Sequence, residues 1–317
     1  MPVKSGKHPL LMMTLALAGL ALAGCGVVID MAEDNEWRWG SFGTPSFISP
    51  VKLKVGVAPF SDEVGLGASE TGSNLAALLA EELSRDSRLI IVPAAEIQAA
   101  MGARGYSLPL NQQQAAEIGS DLRLNALIVG SLSEVKKYNQ RKGWRRLARI
   151  FTTQREYVDA VLAVSAVDAH TGIILVSRAN VGQFDGGTGG KDFSEAGDRS
   201  AQLPEQEALE GSLDEALKES YYRTMSGLAA LPFKARVLTA FGGEATIGFG
   251  SEVGLQPGQE FARLEVERLI TSTIGETYQV MGAPVARLKV TSVDESRATL
   301  EIEEGHLAVG DVIQTID

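Results

Sequence analysis

The first regular pattern in the chain is VKLKVGVAPF over residues 51–60, which alternates apolar and polar positions at its start and then becomes wholly apolar. A strand entering a buried sheet reads this way. Leu75, Leu78, Leu79 and Leu83 next fall on one face of a helix over 74–83, with residues 69–73 supplying caps. Residues 89–92 form a short apolar strand closed by Pro93, 94–101 an alanine-rich helix, 111–120 (NQQQAAEIGS) the start of another, and 126–132 an apolar strand. This alternation of strand and helix predicts an α/β layer. YVDAVLAVSAVD (157–168) and TGIILVSRANVGQF (171–184) then alternate and join through a Thr-Gly turn, which predicts a β-hairpin. A long helix over 209–231 carries Leu209, Leu213, Ala216, Leu217, Tyr221, Met225 and Leu228 near helical spacing, and Pro232 stops it.

Residues 233–317 change character, with short alternating strands, glycine turns and no helical pattern, and predict a small all-β barrel or sandwich. LQPGQEF (255–261) and LAVGDVI (307–313) share Leu-x-x-Gly-(Gln/Asp)-x-(Phe/Ile), a glycine turn feeding a strand in each. Residues 285–293 and 298–303 pair across Asp294, Glu295 and Ser296. The expected fold class is therefore α/β or α+β. A sheet with packed helices over 51–232 is followed by a small all-β domain over 233–317.

The amino-terminal region has a different signature. Lys4, Lys7 and His8 precede an apolar run from Leu10 to Ala23 that ends in small residues, as a secretory leader does, and the run is shorter than the ~20 residues a spanning helix needs. Leu22-Ala23-Gly24-Cys25 resembles the lipobox of bacterial lipoproteins, and Cys25 is the chain's single cysteine. The resemblance implies a leader over 1–24, a covalent lipid on Cys25 and, because Gly26 rather than Asp follows it, transfer to the periplasmic face of the outer membrane. Acylation of Cys25 leaves no thiol for a disulfide, metal site or nucleophile, and stable anchoring needs more than one acyl chain. Residues 25–50 read as a lipidated tether. Its Trp37 and Trp39 are either linker residues or contacts to the domain, a neighbouring subunit or lipid headgroups.

Loss of Lys4 and Lys7 with the leader leaves 27 basic residues against 40 acidic ones, a net charge of −13. That balance argues against wholesale nucleic-acid binding. The basic residues nonetheless concentrate in one stretch, with Lys136, Lys137, Arg141, Lys142, Arg145, Arg146 and Arg149 around Trp144. This stretch is the candidate partner- or anion-binding surface, for an acidic subunit face, anionic lipid or lipopolysaccharide phosphates. The alternative is a solvated loop. Residues 182–200 mix glycines with Asp185, Asp192, Glu195 and Asp198 but lack the ligand spacing of a calcium loop. Gly248, Gly250 and Gly254 lack the spacing and the following helix of a dinucleotide fingerprint. His170 and His306 sit beside predicted turns with neither a nucleophile elbow nor a metal partner nearby, and read as satisfied turn histidines. No catalytic residue, metal site or cofactor is expected.

The combination of VKLKVGVAPF, an amphipathic helix, NALIVGSLSEV, a hairpin with DAHTGIILVSR and a long final helix resembles the periplasmic α/β domain of the curli secretion channel lipoprotein. The same fold class includes the amino-terminal domain of the Tol system β-propeller protein, penicillin-binding-protein activator lipoproteins and the middle domain of flagellar assembly protein T. GSEVGLQPGQEF and GHLAVGDVI resemble the carboxy-terminal domain of flagellar assembly protein T. The channel family spans the outer membrane with two insertions, which fall here at 136–156 and 182–202. Neither supplies the alternating apolar band of about 10 residues that a transmembrane β-strand needs. The resemblances imply a non-enzymatic component of a flagellar ring or secretion complex that self-associates or binds other envelope proteins. A monomeric regulator of a peptidoglycan synthase and a pore subunit are the alternatives.

Overall fold

The computed structural model describes residues 46–65, 69–142, 153–188, 205–271 and 277–316. The leader, Cys25, Trp37, Trp39, Trp144, Arg145, Arg146, Arg149 and the acidic positions 192, 195 and 198 lie outside them.

The fold pairs a helix-covered sheet with a closed all-β barrel, the class expected from the sequence. The sheet runs in the order β3 (Leu89–Val92), β1 (Leu53–Val57), β4 (Ala126–Lys142), β5 (Thr153–Asp168), β6 (Ile174–Thr188), with β2 (Ser61–Asp62) paired to β4 off this path. β1 lies parallel to β3 and β4, whereas β4, β5 and β6 are successive antiparallel neighbours. α1 (Ser69–Ser84) and α4 (Glu205–Ala229) pack on each other and on the sheet, and so do α2 (Ala94–Arg104) and α3 (Gln112–Asp121). β1 is consequently buried at every position but the half-buried Lys54, with Leu53, Val55 and Val57 all at most 3% exposed. Gly56 lets the core pack closely there, since a Cβ would come within 2.8 Å of the terminal methyls of Leu124 and Leu127 and push them aside. Ile97, Ile118, Leu124 and Leu127 form the core beneath α2 and α3.

The barrel closes in the order β10-β11-β8-β7-β12-β9, all antiparallel, from β7 (Lys234–Phe241), β8 (Glu244–Ile247), β9 (Glu260–Thr271), β10 (Thr277–Val293), β11 (Ala298–Gly305) and β12 (Val312–Thr315). Phe233 fills it edge-on against Phe249 and Phe261, at centroid distances of 5.0 and 6.2 Å. The two sequence repeats are the glycine turns expected, with Gly258 at φ 92° and Gly310 at φ 93°, each followed by a strand. β10 pairs with β11 as expected, in a register that sets Val293 opposite Ala298. Gly250 belongs to the barrel backbone, where a Cβ would lie 2.1 Å from the carbonyl of Asp294.

Several boundaries differ from expectation; the long helix runs from Glu205 to Ala229 rather than 209–231, and the alanine-rich helix extends to Arg104. α1 begins at Ser69, so the residues read as caps form its first turn. β4, β5 and β6 continue into segments that lacked a strand pattern, and the ladder persists to Arg141 opposite Gln154 and Lys142 opposite Thr153. Alternation in sequence reports a buried face, and a ladder that outruns its covering helices loses that report while keeping its backbone hydrogen bonds. The end of the predicted tether is docked: Phe47 lies 4.2 Å beneath the Arg88 guanidinium, Ile48 N donates to Ala229 O (3.0 Å), and Lys52 N donates to Val253 O (2.8 Å).

The layout has two ends. β1 and β4 start together, and the docked residues 47–52 and the first barrel strand lie there. Lys142 lies 16 residues further along β4 than Ala126, which at about 3.3 Å per residue places the β4–β5 end roughly 50 Å away.

Candidate functional site

Where β4 begins and β5 ends, buried polar residues join the sheet to the barrel. Asn125, 1% exposed, follows the end of α3. Its Nδ2 donates to Lys234 O (2.8 Å), its Oδ1 accepts from Lys54 N (2.9 Å) and its carbonyl accepts from Ala169 N (3.1 Å). Asp168, also 1% exposed, closes the β5–β6 turn by accepting at Oδ1 from the backbone N–H groups of His170 (2.8 Å) and Thr171 (3.3 Å). Its Oδ2 meets Lys234 Nζ at 2.5 Å. Burial opposes ionisation of Asp168, but the attraction and hydrogen bond of Lys234 prevail and hold its carboxyl below the usual carboxylate range.

Beside this pair, α3 is positioned by an Asn111–Gln114 capping box, with Asn111 Oδ1 accepting from Gln114 N at 2.9 Å and Gln114 Oε1 accepting from Asn111 N at 3.0 Å. Gln112 Nε2 donates to Gly172 O, tying the helix to the β5–β6 turn. Gly119 permits the close approach, since a Cβ there would lie 2.5 Å from that of Ala169. Between α3 and the exposed faces of β5 and β6 runs an open groove of about 850 Å³, with Val129, Val167 and Ile174 along its apolar floor and Gln112, Gln113, Ser165 and Ser177 among its polar walls. Glu117 in that wall is paired with Arg104 at 2.8 Å. A smaller cavity of about 100 Å³ adjoins it and shares Ser120, Ala169, His170 and Arg236; Arg123, Leu238, Gly248 and Phe249 complete the wall.

His170 does not match the satisfied turn histidine expected. It lies in the turn, but its Nδ1 is buried without a hydrogen-bond partner among the described residues. Burial, aided by the Lys234 and Arg236 charges and opposed by Asp168, pushes its pKa down to about 4, so the ring is neutral at pH 7. His306 follows β11 and is exposed; its carbonyl accepts from Arg263 Nη1 (3.3 Å). Among the described residues no group of three or more His, Cys, Asp and Glu is placed to hold a metal ion, and no helix is long and apolar enough to cross a membrane.

Of the basic stretch, Lys136, Lys137, Arg141 and Lys142 occupy β4, and Trp144, Arg145, Arg146 and Arg149 lie outside the described residues. Lys136 and Lys137 are exposed and, as strand neighbours, face opposite sides of the sheet. Lys136 pairs with Glu134. Sequence reading missed the junction because its members are 43 to 109 positions apart and each has an ordinary local role. One signal was available: Arg123 directly follows a helix end, where glycine is usual.

No protein-family model matches the chain, and no curated protein matches it. Among solved structures, the hypothetical protein CT253 from Chlamydia trachomatis is 13% identical with a TM-score of 0.36, covering 56% of this chain and 98% of that one. Lipoprotein GNA1162 from Neisseria meningitidis is 12% identical with a TM-score of 0.31, covering 44% and 88%. The C-terminal domain of LpoB from Escherichia coli is 13% identical with a TM-score of 0.27, covering 41% and 82%. Similarity at this level assigns neither family nor activity.

Proposed function

We propose that the chain is an outer-membrane lipoprotein, acylated at Cys25, that serves without catalysis as a structural component of a cell-envelope machine such as a flagellar ring or a secretion complex. The observation that carries this reading is the separation of its two ends. Tether and barrel meet at one, and the other holds the β4–β5 strands that lead into a stretch of seven basic and no acidic residues over 136–149. Such a molecule is tied to a membrane at one end and presents a charged contact surface roughly 50 Å away along the sheet. The lipobox-like Leu22-Ala23-Gly24-Cys25 supports the anchor, and the net charge of −13 supports an acidic partner surface on neighbouring copies or other envelope proteins.

Electron microscopy with mass determination on full-length protein extracted in mild detergent tests the reading. Closed rings are expected, and the Arg145→Glu/Arg146→Glu variant is expected to weaken them. A homogeneous monomer that forms a one-to-one complex with a peptidoglycan synthase overturns the assembly reading in favour of a regulatory adaptor. Single-channel conductance in planar bilayers overturns it in favour of a pore subunit.

A further inference from the structure

We infer that the small cavity between α3 and the barrel is a binding site for an oxyanion, a phosphate or carboxylate headgroup, whose polar body lies along the adjoining groove. Arg123 and Arg236 both line the cavity, and neither has a carboxylate partner among the described residues. Arg236 spends one donor, Nη1, on Gly310 O (3.0 Å). A guanidinium has five donors, which leaves most of its fork available. Both side chains are exposed at the rim of the cavity of about 100 Å³, so water screens their mutual repulsion, and a bound anion gains charge-assisted hydrogen bonds from both. Of the nearby carboxylates, Asp168 is paired with Lys234 and Glu117 with Arg104, while Glu252 feels the Arg123 charge without forming an ion pair with it.

The backbone at Arg123 points the same way. α3 ends in a Schellman arrangement, with Leu124 N donating to Gly119 O (2.7 Å) and Arg123 N to Ser120 O (3.2 Å). Arg123 therefore occupies the left-handed position of that motif, at φ 53°, where glycine is the low-cost residue. Among the described residues it is the sole non-glycine at positive φ. Strain of this kind persists where the side chain is needed. Across the cavity Gly248 makes room for it, since a Cβ there would lie 2.8 Å from Arg123 Nη1. His170 lines the same cavity and its ring therefore senses an occupant, although its Nδ1 is closed off from the cavity space.

The test uses the full-length protein in detergent micelles, with inorganic phosphate and acetate titrated separately and followed by calorimetry and by the His170 imidazole NMR signals. Saturable binding of at least one anion is expected, with His170 shifting alongside; which anion binds distinguishes a phosphate site from a carboxylate site. Arg123→Gly and Arg236→Gln are each expected to weaken binding at least tenfold, and Gly248→Val to weaken it without removing a charge. Arg297→Gln, an exposed barrel arginine, leaves it unchanged. Arg123→Gly also relieves the left-handed strain, so its melting temperature is expected to stay level or rise, and lost binding there cannot be ascribed to misfolding. Non-saturating shifts with both anions, or binding that survives both arginine substitutions, overturns the inference.

Discussion

Replacing Lys234 by Met isolates the interaction between sheet and barrel. Lys234 is 7% exposed and Asp168 1%, so removing the ammonium leaves a carboxylate that water cannot reach. Breaking a buried pair from one side costs about 3–5 kcal/mol, whereas an exposed pair is worth about 0–1 kcal/mol. Met retains most of the aliphatic stem and backbone, so the Asn125 Nδ2 bond to Lys234 O survives and the loss reports the charge. Asp168→Asn tests the opposite side, because its side-chain oxygen can still accept from the His170 and Thr171 N–H groups while Lys234 is left unpaired. In the double variant neither charge remains buried, so its cost is expected to fall short of the sum of the singles by about 2–3 kcal/mol, the upper range for contacting residues. Urea denaturation of the four proteins at pH 7 measures this cycle. The Lys234→Met deficit is further expected to shrink on acidification, since burial without the ammonium raises the Asp168 pKa and the carboxyl then takes up a proton. Additive single substitutions, or a Lys234→Met loss below about 1 kcal/mol, would refute the reasoning.

Three further outcomes follow from the same geometry. His170 has a folded pKa of about 4 against an ordinary 6.5, so the unfolded chain binds its proton first: the stability this group contributes is complete above pH 6.5 and is lost as pH falls towards 4. At about 1.4 kcal/mol per pH unit the loss approaches ~3 kcal/mol; His170→Asn should flatten thermal stability across that window, and an unchanged profile rejects the assignment. The Asp168 contribution, from a pKa lowered below 3.8, is lost only at more acid pH. Gly182→Ala places a Cβ 1.9 Å from Ser212 O and 2.5 Å from Ala216 N, so β6 and α4 must separate; a loss of about 2 kcal/mol or more in urea midpoint analysis is expected. Gly250→Ala meets the Asp294 and Glu295 backbone at 2.1 and 2.6 Å and should destabilise the protein comparably, as circular dichroism melting would show.

Much of the fold was legible in sequence because most of its elements bury one face. Leu75, Leu79 and Leu83 repeat at helical spacing because α1 turns one stripe to the core, where they are at most 5% exposed. The two Leu-x-x-Gly repeats were legible for another reason, since a left-handed turn selects glycine whatever surrounds it. The strand extensions through Lys142 and from Thr153 were not, because hydrogen bonding to a neighbour leaves no mark on side-chain composition. The junction was less legible still. Asn125, Asp168 and Lys234 come together through the arrangement of β4, β5 and β7, which no local pattern encodes.

Departures from local rules are most informative when independent ones meet. A satisfied network such as Asn125, Asp168 and Lys234 fixes how two layers pack, and every partner in it is accounted for. The neighbouring residues depart from the ordinary in three ways: Arg123 holds a backbone position suited to glycine, His170 buries an unpartnered nitrogen, and the exposed Arg123 and Arg236 meet at one cavity. The backbone strain and the buried nitrogen are each tolerable at a cost of about 1–3 kcal/mol, whereas the exposed guanidiniums are screened by water and cost little. Their convergence on a wall formed by helix, turn and barrel is what a packing role does not explain, because the Asp168–Lys234 pair already supplies the joint. An anion would bond both guanidiniums at once and offset the Arg123 backbone strain through the arginine it holds. It would also bridge α3 to β7, so its occupancy would stiffen the joint between the tethered barrel and the sheet that leads to the basic stretch.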